Sequence, residues 1–143
     1  MNAADERHLR RAIELASTAR AAGQHPYGSL LVSMHGEVLA EDHNTELANG
    51  DITAHPELKL ARWAAQRLAP ADARTTTMYT SCKPCPMCRY AIARSGLGRV
   101  VFALSAEQRA ALRPLRAAEA PDVIYEGPAL FEEARVPIAG YDG

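Results

Sequence analysis

Two short runs hold the residues whose types and spacing suit them to chemistry: Thr53-Ala54-His55-Pro56-Glu57 and Ser81-Cys82-Lys83-Pro84-Cys85-Pro86-Met87-Cys88. Cys85 and Cys88 are spaced i, i+3, and Pro86 falls where a helix can begin, because the N–H it lacks would have no partner in a first turn. Thiols at that spacing share one helix face near an N-terminus, whose positive dipole end favours the thiolate. They supply two zinc ligands, and His55 offers a third. Three protein ligands leave one tetrahedral position for water, the pattern of a catalytic site, whereas a structural site normally closes with a fourth Cys or His. Cys82 is the one spare cysteine, so a structural zinc knuckle stands as the alternative at this point. Glu57, two residues beyond His55, is close enough to handle protons without being a ligand.

The elements that must position these residues are read from periodicity and turn signals. Residues 5–22 read as a helix, with Leu9, Ala12, Ile13, Ala16 and Ala19 on its apolar face and Gly23 as its stop. Gln24 to Tyr27 form a loop at the edge of the site. Residues 28–34 and 37–43 read as strands about the turn His35-Gly36, an antiparallel hairpin, and residues 44–52 as a polar loop. A helix from Thr53 or Ala54 to Ala69 buries Leu58, Ala61, Ala65 and Leu68, with Pro70 helping to end it. Residues 74–80 read as a third strand, and residues 86–95 as a helix closed by Gly96 and Gly98. The run Val-Val-Phe-Ala-Leu within residues 99–104 reads as a fully buried parallel strand. A short helix over 106–112, a fifth strand over 123–126 and a last helix over 128–135 complete the chain. This order predicts an α/β fold, a three-layer α/β/α sandwich around a central five-stranded mixed sheet.

The chain of 143 residues fits a single domain over 1–143, enough to bury roughly 70% of its unfolded surface. With 16 basic and 17 acidic residues the net charge is −1. A nucleic-acid binder usually shows a basic excess or stripe, so a small neutral substrate is expected and no nucleic acid. The three cysteines cannot form a closed disulfide set, which fits a reducing compartment. No apolar run approaches the ~20 residues of a membrane span, and the polar amino end lacks a signal-peptide core. A cytoplasmic protein is expected, with no membrane association.

His-x-Glu followed by Pro-Cys-x-x-Cys resembles the signature of the zinc-dependent cytidine deaminase superfamily. Pro26-Tyr27-Gly28, Asn44, the run Thr53 to Glu57 and the run Ser81 to Cys88 resemble, in order and spacing, the nucleobase deaminase branch, which includes guanine deaminases. The tRNA adenosine deaminases share much of the pattern. The resemblance implies a cytidine deaminase-like fold, Zn2+ held by His55, Cys85 and Cys88, and Glu57 as the proton shuttle. Deamination needs a water made nucleophilic, which a bound zinc achieves by lowering its pKa toward about 7. It also needs a group that moves a proton to a ring nitrogen and then to the departing amine. Lys83 stands where many relatives carry an acidic residue, and Pro56 where alanine is usual.

By the same resemblance, Asn44 is expected to hydrogen-bond the base, since its amide donates and accepts at once. The backbone of Ala54 is expected to add a hydrogen bond, and the backbone carbonyls of Ser81 and Pro84 to receive the leaving amine. Tyr27 either stacks on a ring or packs its loop. Cys82 reads as a small buried residue. Arg109, Arg113 and Arg116 recur at helix-like spacing and read as a solvated face rather than a nucleic-acid patch. The expectation is a zinc-dependent hydrolytic deaminase of a free amino-substituted nucleobase or related heterocycle, guanine-, cytosine- or aminotriazine-like, releasing ammonia and acting as a homodimer. The alternatives are a tRNA adenosine deaminase and a non-catalytic zinc-binding interaction domain.

Overall fold

Helix α1 (Ala3–Ala21) opens with a reciprocal cap: the Asn2 side chain accepts the Asp5 N–H, and the Asp5 carboxylate accepts the Asn2 N–H, each at 3.0 Å. Two orphan N–H groups of the helix start are satisfied this way. The computed structural model describes residues 1–112 and 123–142. Met1–Arg113 form one compact unit and Pro114–Gly143 a second.

The first unit is built on a sheet of strands β1 (Gly28–Val32), β2 (Val38–His43), β3 (Thr77–Cys82) and β4 (Arg99–Leu104), in the order β2-β1-β3-β4. Strand β1 pairs antiparallel with β2 and with β3, while β3 and β4 run parallel. Alternation of side chains along the strands divides the core. Leu31 and Met78 face Leu60, Ala61, Ala64, Ile92 and Leu97 on one side, and Leu30, Val32 and Tyr79 face Leu9 and Ala12 on the other. The first side is covered by α3 (Pro56–Arg67) and α5 (Pro86–Ser95), the second by α1. The mixed sheet between helical layers is the expected architecture. Gly28 lies where α1 presses on β1: a Cβ there would sit 2.5 Å from Leu15 Cβ and 2.6 Å from the Ala12 carbonyl oxygen.

Several local expectations are corrected. Among the described residues the sheet has four strands, and residues 123–126 are irregular rather than a fifth strand. Strand β4 is parallel as expected, but among the described residues it is the sheet's edge and none of its residues is fully buried. The loop over 44–52 contains a one-turn helix, α2 (Glu46–Asn49), stopped by Gly50 in the left-handed conformation at φ 57°. Pro70 does not simply end a helix. Proline holds the preceding residue, Ala69, extended; Leu68 before it is extended as well, α3 stops at Arg67, and Pro70 starts a new helix, α4 (Pro70–Thr75), which delays β3 to Thr77. On α3 the buried face is Leu60, Ala61 and Ala64 with Glu57, and Ala65 is exposed. On α1, Ile13 is 46% exposed and Leu15 is buried in its place.

Helix α6 (Ala106–Leu112) closes the described part of the first unit. In the second unit α7 (Phe131–Ala134) is shorter than the expected helix over 128–135. Among the described residues no helix is long and apolar enough to cross a membrane.

Candidate active site

The same local device is used twice. His55 is the N-cap of α3 and is followed by Pro56; Cys85 is the N-cap of α5 and is followed by Pro86. Proline confines the residue before it to extended backbone, and His55 (φ −77°, ψ 140°) and Cys85 (φ −66°, ψ 167°) both obey. Neither caps its helix with its side chain, so imidazole and thiol stay available for a ligand. Pro56, unusual at this position by resemblance, therefore pre-shapes the histidine turn. Because α3 and α5 pack side by side, their two starts converge, and Cys88 in the first turn of α5 joins them.

His55 Nδ1 lies 3.7 Å from Cys85 Sγ and 3.5 Å from Cys88 Sγ. A tetrahedral zinc with Zn–S near ~2.3 Å and Zn–N near ~2.0 Å sets an N···S edge of about 3.5 Å, so the donor set fits that metal. The three donor atoms lie within 4.8 Å of one another. The two thiols compete for a proton: the Cys88 hydrogen bond and His55 hold the Cys85 thiol down, while Cys85 beside it pushes the Cys88 thiol up. A divalent ion relieves this by accepting both as thiolates. Cys82 is buried, and burial raises its thiol pKa; it is not among the grouped donors.

Glu57, one residue into α3 after Pro56, is 6% exposed. Burial raises its pKa, against hydrogen bonding from Ser29 and Cys88 that lowers it. Its Oε1 lies 3.1 Å from Ser29 Oγ and 3.3 Å from Thr80 Oγ1, and these hydroxyls are 2.8 Å apart. Two hydroxyls on neighbouring strands β1 and β3, hydrogen-bonded to each other, thus share their protons with one carboxylate oxygen. A carboxyl raised toward neutrality by burial, yet still steadied as carboxylate, is suited to giving and taking protons.

A second carboxylate stands behind the histidine. Glu46 Oε1 accepts from His55 Nε2 at 2.9 Å and from Asn44 Nδ2 at 2.8 Å, and the Glu46 N–H donates to Asn44 Oδ1 at 3.0 Å. This holds the imidazole with Nδ1 toward the sulfurs. Lys59 ties the same loop to α3 through Asp42, the His43 carbonyl and Thr45 at 2.9–3.0 Å.

A cavity of about 370 Å³ opens over this cluster and is lined by Tyr27, Asn44, His55, Glu57, Pro84 and Cys85 among others. Two expected contact residues fall outside its lining. The Ala54 N–H donates to the Asp51 carbonyl and its own carbonyl accepts from Thr45, so both backbone groups are used within the loop. Ser81 lies in an adjoining hollow, where its Oγ accepts the Gly28 N–H at 3.1 Å. Arg109, read above as part of a solvated face, is exposed and also lines the cavity; Arg113 and Arg116 lie outside the described residues. Sequence reading missed Glu46, Ser29 and Thr80, whose roles arise from pairings over 9 to 28 positions that leave no local signature.

Residues 2–104 match the model of the cytidine and deoxycytidylate deaminase zinc-binding region. A probable cytosine deaminase of Schizosaccharomyces pombe is 31% identical over 96% of this chain and 91% of its own length. A tRNA-specific adenosine deaminase of Haemophilus influenzae is 36% identical over 71% of this chain and 58% of its own. The X-ray structure of guanine deaminase from Bacillus subtilis superposes with a TM-score of 0.78 at 29% identity, covering 97% of this chain and 92% of that one. The chain belongs to the family of zinc-binding cytidine and deoxycytidylate deaminases, in its nucleobase deaminase branch, and is a hydrolytic deaminase acting on nucleobases or nucleosides.

Proposed function

We propose that this protein deaminates a free amino-substituted nucleobase or related heterocycle, guanine-, cytosine- or aminotriazine-like, and releases ammonia. The observation that carries this reading is the buried Glu57 carboxylate beside a metal donor set that, among the described residues, has three members, His55, Cys85 and Cys88. A zinc held by those three residues supplies an acidified water. In the reaction the water oxygen bonds to the ring carbon, the carbon–nitrogen bond to the amino group breaks, and the water protons leave with the ring and the amine. Glu57 takes a proton from the water, passes it to a ring nitrogen and delivers a second to the departing amine. Ser29 and Thr80 hold its Oε1 in place through both transfers. Asn44 anchors the ring edge remote from the metal with the amide hydrogen not given to Glu46, and Tyr27 forms a wall. The Pro84 carbonyl receives the leaving amine, while Ala54 and Ser81 act from behind by shaping the loops.

The relatives that span nearly the whole of this chain are named for free bases, which supports a free base over a polynucleotide. We infer a cytoplasmic homodimer: Met87 and Tyr90 on α5, 37% and 69% exposed, share a hollow with Leu58 and Ala65 of α3 and with Arg62 and Arg94, an apolar patch edged by charge that suits a second copy. The test is a panel of aminopurines, aminopyrimidines and aminotriazines, with an anticodon stem-loop RNA alongside, scored by ammonia release before and after chelation. Turnover of free bases that chelation abolishes is expected. Turnover of the RNA alone would make this a tRNA deaminase, and no turnover by zinc-loaded protein would leave a zinc-binding interaction domain.

A further inference from the structure

We propose that Lys59 is a positioning residue of this site: its ammonium group straddles Asn44 and fixes both Asn44 and Glu46 relative to the metal donors. The substrate side of this role rests on the deaminase reading, in which Asn44 anchors the ring.

An ammonium group has three donors and no acceptor. Lys59 Nζ donates to Asp42 Oδ1 at 2.9 Å, to the His43 carbonyl at 3.0 Å and to Thr45 Oγ1 at 2.9 Å. Its hydrogen-bonding capacity is thus fully used on one short run of chain. The residues on either side of Asn44 are both gripped, while Asn44 itself lines the cavity. A surface lysine behaves otherwise, keeping its charged head in water on a flexible stem. The Lys59 side chain is 15% exposed, and its ion-pair partner Asp42 is itself partly open to solvent. Such a pair offsets little of the cost of withdrawing a charge from water. Three hydrogen bonds from one centre do fix direction as well as distance.

The gripped run carries the polar side chains that serve the cavity and the histidine. Asn44 is 1% exposed, and its amide is shared with Glu46 through Nδ2 and Oδ1. Glu46 Oε1 in turn accepts from His55 Nε2. A shift of the run would therefore move the ring anchor and the imidazole together. Main-chain bonds also hold it: the Asn44 N–H donates to the Tyr27 carbonyl at 3.0 Å, and the Thr45 N–H to the Ala54 carbonyl at 3.1 Å. Both of those partners lie outside helices and strands. Lys59 instead ties the run to a helix.

That helix is the one that presents the chemistry. His55 is the N-cap of α3, Glu57 lies in its first turn, and the Lys59 N–H donates to the His55 carbonyl at 3.1 Å. One rigid element thus carries a metal donor, the proton carrier and the clamp on the anchor run. The spacing among these groups is then set by helix geometry rather than by the path of a loop. A misplacement of ~1 Å at such an anchor can cost ~100-fold in rate, so a clamp of this kind has a measurable effect.

The experiment uses the zinc-loaded full chain and two variants. Lys59→Met keeps the stem and removes the donors; Thr45→Val removes one acceptor and leaves the pair with Asp42. On a free base that the wild type turns over, Lys59→Met is expected to raise KM at least tenfold and to change kcat less than threefold. In an Asn44→Ala background the same substitution is expected to move KM less than twofold, because the anchor it positions is already gone. The second readout needs no turnover. Competition with a chromophoric chelator is expected to show zinc held at least threefold more weakly in Lys59→Met, with less than twofold further loss when it is added to Glu46→Ala. Wild-type values in either readout overturn the proposal. So does a KM effect of full size in the Asn44→Ala background, or a zinc effect that adds in full to that of Glu46→Ala, since Lys59 would then act on stability alone. If Lys59→Met does not fold, Thr45→Val carries both cycles, with effects of at least threefold on KM and twofold on zinc expected and wild-type values overturning the proposal. If no base is turned over, the deaminase reading fails, and the zinc cycle still decides the role of Lys59.

Discussion

His55 and Glu46 form a directional pair: Nε2 of the imidazole meets Glu46 Oε1 at 2.9 Å, while Nδ1 of the same ring faces the Cys85 and Cys88 sulfurs at 3.7 and 3.5 Å. The carboxylate accepts the Nε2 proton, so the lone pair is left on the nitrogen that faces the sulfurs. Glu46→Ala is expected to weaken zinc binding about 10–100-fold, the usual effect of removing such a partner. Competition with a chromophoric chelator measures it. Unchanged affinity would show that the ring is oriented by packing alone.

The donor set makes a sharp statement about cysteines. Metal analysis should find one zinc per chain in Cys82→Ser and a large loss in Cys88→Ser, because Cys82 is buried apart from the three grouped donors. The reverse pattern would reassign the ligands.

For Glu57 the expectation is loss of chemistry with retention of metal. Glu57→Gln keeps the shape but cannot carry the proton, and turnover should fall ~10²–10⁴-fold. A companion variant, Ser29→Ala, tests the hydroxyl contact. Burial raises the Glu57 pKa and the Ser29 hydrogen bond lowers it, so deleting that bond should raise it further. The carboxylate is then lost at higher pH as the solution is acidified, and the acidic limb of kcat/KM moves upward in pH. A downward shift, or none, would mean that this limb belongs to another group.

At the opposite face of the sheet Asp5, 2% exposed, accepts from Tyr79 Oη at 2.6 Å and from both Arg99 terminal nitrogens at 2.9 Å. Arg99, then Tyr79, hold its carboxyl well below the usual carboxylate range. A lowered folded-state pKa stabilises the fold above the unfolded value near ~4, and the contribution is lost as pH falls toward the folded value. Asp5→Asn is expected to cost about 2 kcal/mol at neutral pH, less than a fully buried pair because the Arg99 side chain is 48% exposed. Urea unfolding at pH 7, 5 and 3.5 should show the gap to wild type narrowing only below about pH 4. A gap that does not change with pH would mean that the charge plays no part.

What the sequence determines by itself is local. The turns at His55-Pro56 and Cys85-Pro86 follow from the restriction proline places on the residue before it, and the i, i+3 cysteines follow from helix geometry, so the donor set and the nearby Glu57 are legible without a fold. Gly96 ends α5 for an equally local reason, a left-handed φ of 87°. Tertiary structure alone decided the rest. Helix α3 carries Leu58, Leu60, Ala61, Ala64 and Ala65 over adjoining faces, so periodicity does not choose its buried side; packing against the sheet and α5 does. The Ser29 and Thr80 contacts with Glu57 depend on the register of β1 against β3, which pairs Ser29 with Thr80. Asp5 meets Arg99 across 94 positions only because α1 lies over the sheet.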